Sequence, residues 1–223
     1  MEKVSSILRK VYNIEWKGLN ILECGAHSDG LETSSFEGNN ECWFLEPNDI
    51  DYQKLKNKRK NTLNIALSNK NGKVKFTICH GSGNSSCEYS EEQLQELKNR
   101  KSTFTETEVE GMTYKNLLEK LNLIFDLFVL DVEGHEMSIL NTFKDLEEEK
   151  HPKIIVIECG YDWYDRLSLL KEFGYNIDCY YFNNCYLSKG DIKINESSAE
   201  AVNKQWKTFT WMGKVIYNNE LIK

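Results

Sequence analysis

Several features that mark well-known classes of protein are missing from this chain of 223 residues. It has seven cysteines, but none of them forms a Cys-x-x-Cys pair, which argues against a zinc site or a thioredoxin-like redox motif. Their odd number and scattered positions also argue against a secreted disulfide framework, so we expect buried thiols in a reducing compartment. No apolar run approaches membrane-spanning length, and residues 1–16 lack the apolar core of a signal peptide. We therefore expect a cytoplasmic protein without a membrane partner.

An excess of positive charge is missing as well. The formal net charge of −7 argues against a broad surface for polyanions, so we expect no nucleic-acid partner. The basic run at residues 54–60, KLKNKRK, is better explained as the solvated face of a helix. With 40% hydrophobic and 12% aromatic residues, the chain can bury a substantial core. We expect one domain over residues 1–223, in which 1–19 form an N-terminal helical extension and 80–112 an insertion or lid of unassigned role.

Short apolar runs alternate with longer amphipathic runs along most of the chain. The apolar runs predict strands at residues 20–24, 42–45, 62–67, 73–79, 125–130 and 154–157, and two more within 175–187. The amphipathic runs predict helices at residues 49–60, 90–101, 113–123, 135–146 and 163–173. Asn71-Gly72 favours a hairpin turn before the strand at 73–79. Strands that alternate with helices indicate an α/β fold, and near-continuous apolar strands indicate a parallel sheet covered on both faces.

Four of the predicted strands end in a carboxylate, and the four acids are Glu23, Glu46, Asp131 and Glu158. Ligands of open α/β sheets bind beyond the carboxyl ends of the strands, so these acids are expected at one edge. A single acid there is equally well explained as a cap for the following helix, because a helix N-terminus favours negative charge. Four acids together, beside a Gly-Ala turn, favour a ligand site instead.

The turn after the first strand, ILECGAHSDG at residues 21–30, favours close approach of a ligand to the backbone. Gly25 and Ala26 are small, and the helix expected to follow them would point its free N–H groups at a ligand there. Glu46 lies 21 positions after Gly25, the spacing at which a carboxylate accepts hydrogen bonds from ribose hydroxyls in nucleotide-binding folds. The turn lacks a complete G-x-G-x-x-G pattern, because His27 stands at its second glycine position. A nicotinamide-dependent dehydrogenase, which would use the same Glu46, is an alternative that the incomplete pattern disfavours, and a binding module without catalysis is a second alternative.

These stretches together resemble the FkbM family of class I S-adenosylmethionine-dependent methyltransferases. The resemblance rests on ILECGAHSDG, WFLEPN, NIALSNKNGKVKF and FDLFVLDVEGHEMSIL, and DVEGHE is its most specific block. It implies a Rossmann-like class I methyltransferase fold, with a doubly wound, mostly parallel seven-stranded sheet and helices on both faces. It also implies S-adenosyl-L-methionine as the cofactor. The family's loop usually reads Gly-Ala-Asn, and here His27 replaces the asparagine.

The resemblance also implies a set of cofactor-binding residues. Glu46 would bind the ribose hydroxyls, with a helix cap as its alternative role, and Glu23 would anchor the loop or reach the methionine amino group. Ala66 would border the adenine, unless it is a plain buried strand residue. The full set is Glu23, Cys24, Gly25, Ala26, His27, Glu46, Pro47, Asn48, Ala66, Ser85, Ser86 and Asp131.

The expected catalytic residues lie nearest the implied point of methyl transfer, and they are Asp131, Glu133, His135 and Glu158. Transfer to a hydroxyl needs an aligned nucleophile and a group that removes its proton. His135 is a candidate base, because the ordinary pKa of histidine is near neutral, or else a polar residue of the first helical turn. Glu136 is expected to cap that helix or to bind substrate. Catechol-type methyltransferases hold magnesium with acids placed like Asp131 and Glu158, but no third ligand is evident and we predict no metal site.

The acceptor is expected to be a hydroxyl of a sugar, a glycan or a small molecule. The chain has only two prolines and no Asn-Pro-Pro-Tyr or Asp-Pro-Pro-Tyr box, the mark of methylation at nitrogen. The resemblance adds an association with modification of glycans and secondary metabolites. Tyr161, Trp163 and Tyr164 could stack on a sugar ring, although such a cluster more often belongs to a core. The run at residues 209–216 is expected to be a last strand or a lid over the acceptor.

Overall fold

The computed structural model describes residues 2–80, 84–89, 91–159 and 163–203, and the backbone of three short strands beyond them. Its helices are α1 Val4–Val11, α2 Asp49–Leu55, α3 Glu91–Asn99, α4 Tyr114–Leu121, α5 Glu136–Asn141, α6 Trp163–Glu172 and α7 Glu196–Asn203. Its strands are β1 Asn20–Cys24, β2 Glu41–Leu45, β3 Asn61–Leu63, β4 Ala66–Leu67, β5 Gly72–His80, β6 Thr103–Met112, β7 Leu127–Leu130, β8 Ile154–Glu158, β9 Asn176–Tyr181, β10 Asn184–Ser188, β11 Thr208–Trp211, β12 Lys214–Tyr217 and β13 Glu220–Ile222. Within the part of the chain that is described, no helix is long and apolar enough to span a membrane.

The main sheet has seven strands in the order β3-β2-β1-β7-β8-β10-β9. The first five strands of this order are parallel to their neighbours, and β10 runs antiparallel to both β8 and β9. The chain runs outward from β1 to β3 and then returns to place β7 on the other side of β1. This confirms the predicted doubly wound, mostly parallel sheet. It also puts the topological switch point between β1 and β7, where ligands of such sheets bind.

Apolar side chains on both faces hold the main sheet between two layers of helices. All four residues of β7, LFVL, are buried, because successive side chains point to opposite faces and both faces are covered. One face packs against α4, α5 and α6, which contribute Tyr114, Ile139 and Leu167. The other face packs against α1, whose buried residues include Ile7 and Leu8. Each fully buried leucine or isoleucine stabilises this core by about 1.5–3 kcal/mol.

The single strand predicted at residues 62–67 is wrong, because two short strands in different sheets occupy this range. β3 extends the main sheet, whereas β4 joins a small three-stranded sheet in the order β4-β6-β5. Between them, the side-chain amide of Asn64 donates to the carbonyl oxygens of Glu46 at 2.9 Å and Pro47 at 3.1 Å. These bonds hold the chain at the end of β2 and turn it out of the main sheet. The small sheet thereby comes to lie beside the switch point.

The hairpin predicted at Asn71-Gly72 is also wrong, because β4 and β5 do not pair with each other. β6 lies between them, parallel to β4 and antiparallel to β5 over the full length of β5. Gly72 has a φ of +90°, so the turn itself is present, but it leads to a strand two places away. Residues 80–112 thus comprise the end of β5, the predicted helix α3 and the long strand β6. Their role as an insertion or lid stays a prediction, as does the single-domain organisation of residues 1–223.

Most other elements match the predictions, with shorter helices. The helix predicted at 49–60 ends at Leu55, and the one at 135–146 is divided into α5 and a 3-10 turn at Thr142–Asp145. The two strands within 175–187 form the antiparallel pair β9 and β10. The run at 209–216 contributes to β11 and β12, which form a three-stranded antiparallel sheet with β13. Whether these strands cover an acceptor stays a prediction.

Candidate functional site

A cavity of about 360 Å³ opens at the carboxyl ends of β1, β2 and β7. Cavities of about 300–1,000 Å³ commonly hold small molecules and cofactors. All of the predicted cofactor-binding residues except Ser86 line it, and so do the predicted catalytic residues Asp131, Glu133 and His135. Glu158 does not line it. The sequence analysis missed several further lining residues, which are Asp29, Leu31, Glu32, Leu45, Asp51, Ile65, Leu67, Phe76, Cys87 and Val132.

Gly25 allows the loop after β1 to lie against the end of β7 beside the cavity. Gly25 has a φ of +80°, and a Cβ atom at this position would lie 1.7 Å from the carbonyl oxygen of Asp131. The N–H groups of Gly25 and Ala26 both donate to the carbonyl oxygen of Leu45, at 3.1 and 3.0 Å. The loop is therefore fixed between the ends of β2 and β7 at a distance that only glycine permits. Gly25 and Ala26 both line the cavity, but the helix expected after them is wrong, because turns follow as far as a 3-10 turn at Ser34–Phe36.

Glu46, at the end of β2, is held in place by main-chain N–H groups on both of its oxygen atoms. Oε2 accepts a hydrogen bond from the N–H of His27 and Oε1 from the N–H of Asn48, each at 2.8 Å. Burial raises the pKa of this carboxyl to about 7, and the two N–H groups oppose that rise. The alternative role of Glu46 as a helix cap belongs to Asn48, whose Oδ1 accepts from the N–H of Ile50 at 3.1 Å. A carboxylate has further lone pairs, so Glu46 can still accept hydrogen bonds from a ligand.

Glu23, at the end of β1, is buried and binds the loop that follows the glycine turn. Its Oε2 accepts from the N–H of Thr33 at 2.8 Å and from the Thr33 hydroxyl at 2.7 Å. Burial raises the pKa of Glu23 to about 7, partly offset by these bonds. Of the two roles considered for Glu23, this geometry favours the anchor of the loop. The methionine contact stays a prediction, since Glu23 also lines the cavity.

The loop after β7 makes a tight turn that carries two of the predicted catalytic acids. Glu133 and Gly134 have positive φ values of +57° and +110°. The carboxylate of Glu136 accepts from the N–H groups of Val132 at 2.9 Å and Gly134 at 3.0 Å, and so closes the turn in front of α5. Glu136 is fully buried and also pairs with the fully buried Arg166 of α6 at 2.8 Å. Because it lies behind the loop, Glu136 does not line the cavity.

We call Asp131, Glu133 and Glu158 the acid triad. One carboxylate oxygen from each of them lies within 4.8 Å of the others, although β7 and β8 supply them from separate parts of the chain. Burial raises the pKa of all three, and repulsion between Asp131 and its acidic neighbours raises it further. Among the described residues, the side chains of Asp131 and Glu158 have no hydrogen-bonding partner. Such a group of carboxylates can take up a proton or bind a cation, and Glu133 would be the third oxygen ligand, which was not evident from the sequence.

Both ring nitrogens of His135 have partners in the structure. Nδ1 lies 3.1 Å from Oε2 of Glu88, Nε2 lies 3.2 Å from Oγ of Ser68, and the ring is buried. The same oxygen of Glu88 accepts from the hydroxyl of Ser138 at 2.8 Å. His135 therefore links α5 to the segment at residues 84–89 and to the small sheet. Its role as a general base stays a prediction, and it would require one of these contacts to open.

The segment at residues 84–89 lies over the loop after β7. The side-chain amide of Asn84 donates to Oε2 of Glu133 at 2.8 Å, and the hydroxyl of Ser86 donates to the carbonyl oxygen of Val132 at 3.1 Å. Ser85 lines the cavity and accepts from the N–H of Cys79 at 3.0 Å, whereas Ser86 lies behind it. Of the two predicted serines, the structure thus brings only Ser85 to the cavity wall.

The predicted aromatic wall is divided between the core and a part of the chain that is not described. Trp163 and Tyr164 are buried in the core on α6, with their rings edge to face at 5.7 Å. The core interpretation is therefore confirmed for these two residues. Tyr161 lies outside the described residues.

Comparison with known proteins relates this site to a family. Residues 23–177 match the methyltransferase FkbM domain. The chain is similar to precorrin-6y C5,15-methyltransferase from Geobacter metallireducens GS-15, with 14% identity, a TM-score of 0.42 and coverage of 82% of this chain and 84% of that one. It is also similar to a structure from the E. cuniculi Mtq2-Trm112 complex, which is responsible for methylation of the eRF1 translation termination factor. The identity is 11%, the TM-score is 0.40, and the match covers 84% of this chain and 92% of that one. None of the curated protein sequences compared matches the chain.

Proposed function

The chain belongs to the family of FkbM methyltransferase domains, and from this membership we propose that it transfers a methyl group from S-adenosylmethionine to a hydroxyl of a sugar, a glycan or a small molecule. The single observation that carries the proposal is the position of Glu46. Its carboxylate is fixed by two N–H groups at the end of β2, beside the glycine loop and on the wall of the cavity. A fixed acceptor in this place is what the hydroxyls of a ribose require.

The residues present fit an S-adenosylmethionine molecule. Gly25 and Ala26 line the cavity without a large side chain, and the cavity volume of about 360 Å³ suits a molecule of this class. Glu46 would hold the ribose hydroxyls, and Ala66 would border the adenine. The bound cofactor supplies a methyl group on a positively charged sulfur.

The acid triad is our choice for the proton transfer. A hydroxyl nucleophile must lose its proton as it is methylated, and a carboxylate whose pKa is raised is a suitable acceptor. Because burial raises the pKa of Asp131 and of Glu158, each carboxylate holds a proton more readily than an exposed acid, and Asp131, which lines the cavity, would take the proton from the acceptor. A positively charged group in the cavity would favour the ionised form of both acids, and so prepare them as bases.

A polyhydroxyl acceptor is favoured by the arrangement of these acids. Neighbouring carboxylates can each accept a hydrogen bond from adjacent hydroxyls, which is how a sugar would be held and oriented. The formal net charge of −7 disfavours a nucleic-acid acceptor. The chain also lacks the proline-containing boxes associated with methylation at nitrogen.

The test is a methyl-transfer assay with labelled S-adenosylmethionine and a panel of acceptors matched in size. The panel contains hydroxylated glycans and sugars, a catechol, and amines of similar size, and each is assayed with and without a chelator. Label in the sugar or glycan arm that survives as an ether supports the proposal. Label only in the amine arm would contradict the choice of oxygen, and loss of transfer with the chelator would add a cation at the acid triad.

A further inference from the structure

The loop that carries the predicted catalytic acids rests on a buried ion pair that does not touch the cavity. Glu136 and Arg166 are 0% and 1% exposed, and Arg166 Nη2 lies 2.8 Å from Oε2 of Glu136. Neither residue lines the cavity, so neither can contact a molecule bound there directly. The sequence analysis gave Arg166 no role, because an arginine within an amphipathic helix looks like part of a solvated face.

The pair connects the main chain on both sides of the acid triad. The carboxylate of Glu136 accepts from the N–H groups of Val132 and Gly134, which flank Glu133. Nη1 of Arg166 donates to the carbonyl oxygen of Glu158 at 2.9 Å, at the end of β8. Three hydrogen bonds and one ion pair therefore fix the main chain next to each acid of the triad, across two strands.

Stability alone is a poor explanation for this arrangement. Burial of two charges costs several kcal/mol of hydration, and apolar residues of similar volume often give equal or greater stability. The turn at Glu133, by contrast, needs an external restraint, because its φ of +57° is unfavourable for a residue with a side chain. The bonds from Glu136 supply that restraint on both sides of Glu133.

We propose that the Glu136–Arg166 pair is the positioning device of the site, which sets the direction in which the acid triad faces a positively charged group in the cavity. The inference rests on the proposed use of S-adenosylmethionine. Glu136 and Arg166 act through the main chain of Asp131, Glu133 and Glu158 and contact no reacting atom. Arg166 also stabilises the ionised forms of Glu133 and Glu158, since its charge lowers the pKa of both.

The test compares the affinities of S-adenosylmethionine and S-adenosylhomocysteine, which differ by the methyl group and the positive charge on sulfur. The ratio of the two affinities measures how well the acids face that charge, and it needs no methyl acceptor. The double variant Glu136→Gln/Arg166→Met removes both charges of the pair together, but a glutamine amide can accept from only one of the two N–H groups, so we expect a lower melting temperature in a protein that still folds. We expect the affinity ratio to change about tenfold in favour of S-adenosylhomocysteine, because the acids are no longer held toward the charge.

Two further variants guard against a purely structural effect. Arg166→Lys keeps a positive charge next to Glu136 but lacks the second nitrogen, which donates to the carbonyl oxygen of Glu158. We expect the affinity ratio to change about threefold, with little loss of stability. The matched control is Tyr12→Phe, which removes a buried hydrogen bond to Asp178 of 2.8 Å that involves no residue of the site. We expect this control to lower the melting temperature and to leave the affinity ratio unchanged.

The outcomes separate the two proposals. A wild-type ratio in both the double variant and Arg166→Lys, while the wild-type protein binds both ligands, would overturn the positioning role alone. A wild-type protein that binds neither ligand would overturn the proposed function, and this inference with it. Should the double variant fail to fold, the ratio measured for Arg166→Lys decides the positioning role.

Discussion

Two pairs of carboxylates at the same edge of the main sheet differ in their hydrogen bonding. Glu23 and Glu46 end β1 and β2, and their oxygen atoms accept hydrogen bonds from N–H and hydroxyl groups. Asp131 and Glu158 end β7 and β8, and no side-chain hydrogen bond to either of them is found within the described residues. The first pair is fixed before any ligand arrives, as a binding site requires. The second pair retains its capacity to exchange protons or to bind charge, as a reaction centre requires.

The largest effect is expected at Asp131, one of the two acids at the ends of β7 and β8. Asp131→Asn keeps the size of the side chain but removes its charge and its capacity as a base. We expect methyl transfer to fall about 1,000-fold, within the range for loss of a general base, while S-adenosylhomocysteine affinity changes less than about threefold. Single-turnover kinetics and calorimetry on the same preparation measure the two effects. Turnover equal to that of the wild type would remove Asp131 from the reaction.

For Glu46, one of the two hydrogen-bonded acids, we expect the main effect on cofactor affinity. Glu46→Ala removes the acceptor of the ribose hydroxyls, and we expect S-adenosylhomocysteine affinity to fall about 100-fold, as for loss of hydrogen bonds to a charged group. The matched control is Thr113→Ala, which removes the cap of α4 at a cost of about 1 kcal/mol in stability and lies outside the cavity. Calorimetric titration compares the two variants. If a folded Glu46→Ala protein bound as tightly as the wild type, the ribose assignment would fail.

Gly25 lies between the ends of β2 and β7, and its substitution is expected to disturb both strand ends. In Gly25→Ala the new Cβ would meet the carbonyl oxygen of Asp131, and the φ of +80° would be strained as well. We expect a loss of about 3 kcal/mol or more in the free energy of unfolding. The control is Gly18→Ala, which has a φ of +68° and no atom within 4 Å of the new Cβ, so only about 1 kcal/mol is expected. Urea unfolding of both variants tests this, and equal losses would show that the contact with β7 is unimportant.

The smallest effect concerns pH. The pKa of Glu23 and that of Glu46 are raised to about 7, so the folded protein holds protons that the unfolded chain releases from about pH 4.5 upward. This contribution to stability is complete below the unfolded pKa and is lost as the pH rises through the folded pKa. We expect the free energy of unfolding to fall by roughly 1–3 kcal/mol per group between about pH 4.5 and 7. In Glu46→Gln the slope should be shallower, and an unchanged slope would contradict a raised pKa at Glu46.

Most strands of the main sheet could be predicted from the sequence, because hydrophobic periodicity and composition are properties of short stretches of the chain. The runs at residues 20–24 and 154–157 are apolar, short and bounded by turn residues, and both form strands of the main sheet. Residues 62–67 look like one strand for the same reason. The split after Leu63 depends on two hydrogen bonds from Asn64 to the end of β2, and a local pattern does not reveal such a tertiary contact.

The residues of the candidate site that lie at the ends of strands could be predicted from the sequence. Glu23, Glu46 and Asp131 lie at strand ends, and the structure places all three on the cavity wall. Arg166 and the network of His135 with Glu88 could not be found in this way, because their partners are distant in sequence and nothing local distinguishes them from surface residues. Glu133 was predicted as a catalytic acid, but not as a member of one cluster with Asp131 and Glu158, since the left-handed turn at Glu133 that goes with this arrangement is not visible in the sequence.

The most direct test of the central claim is calorimetric titration of the purified protein with S-adenosylhomocysteine, with NAD as a parallel ligand and Glu46→Gln as the control variant. The account predicts binding of S-adenosylhomocysteine with a dissociation constant of about 1 μM, or about −8 kcal/mol, no binding of NAD, and strongly reduced binding by the variant. Binding of NAD alone would contradict the account.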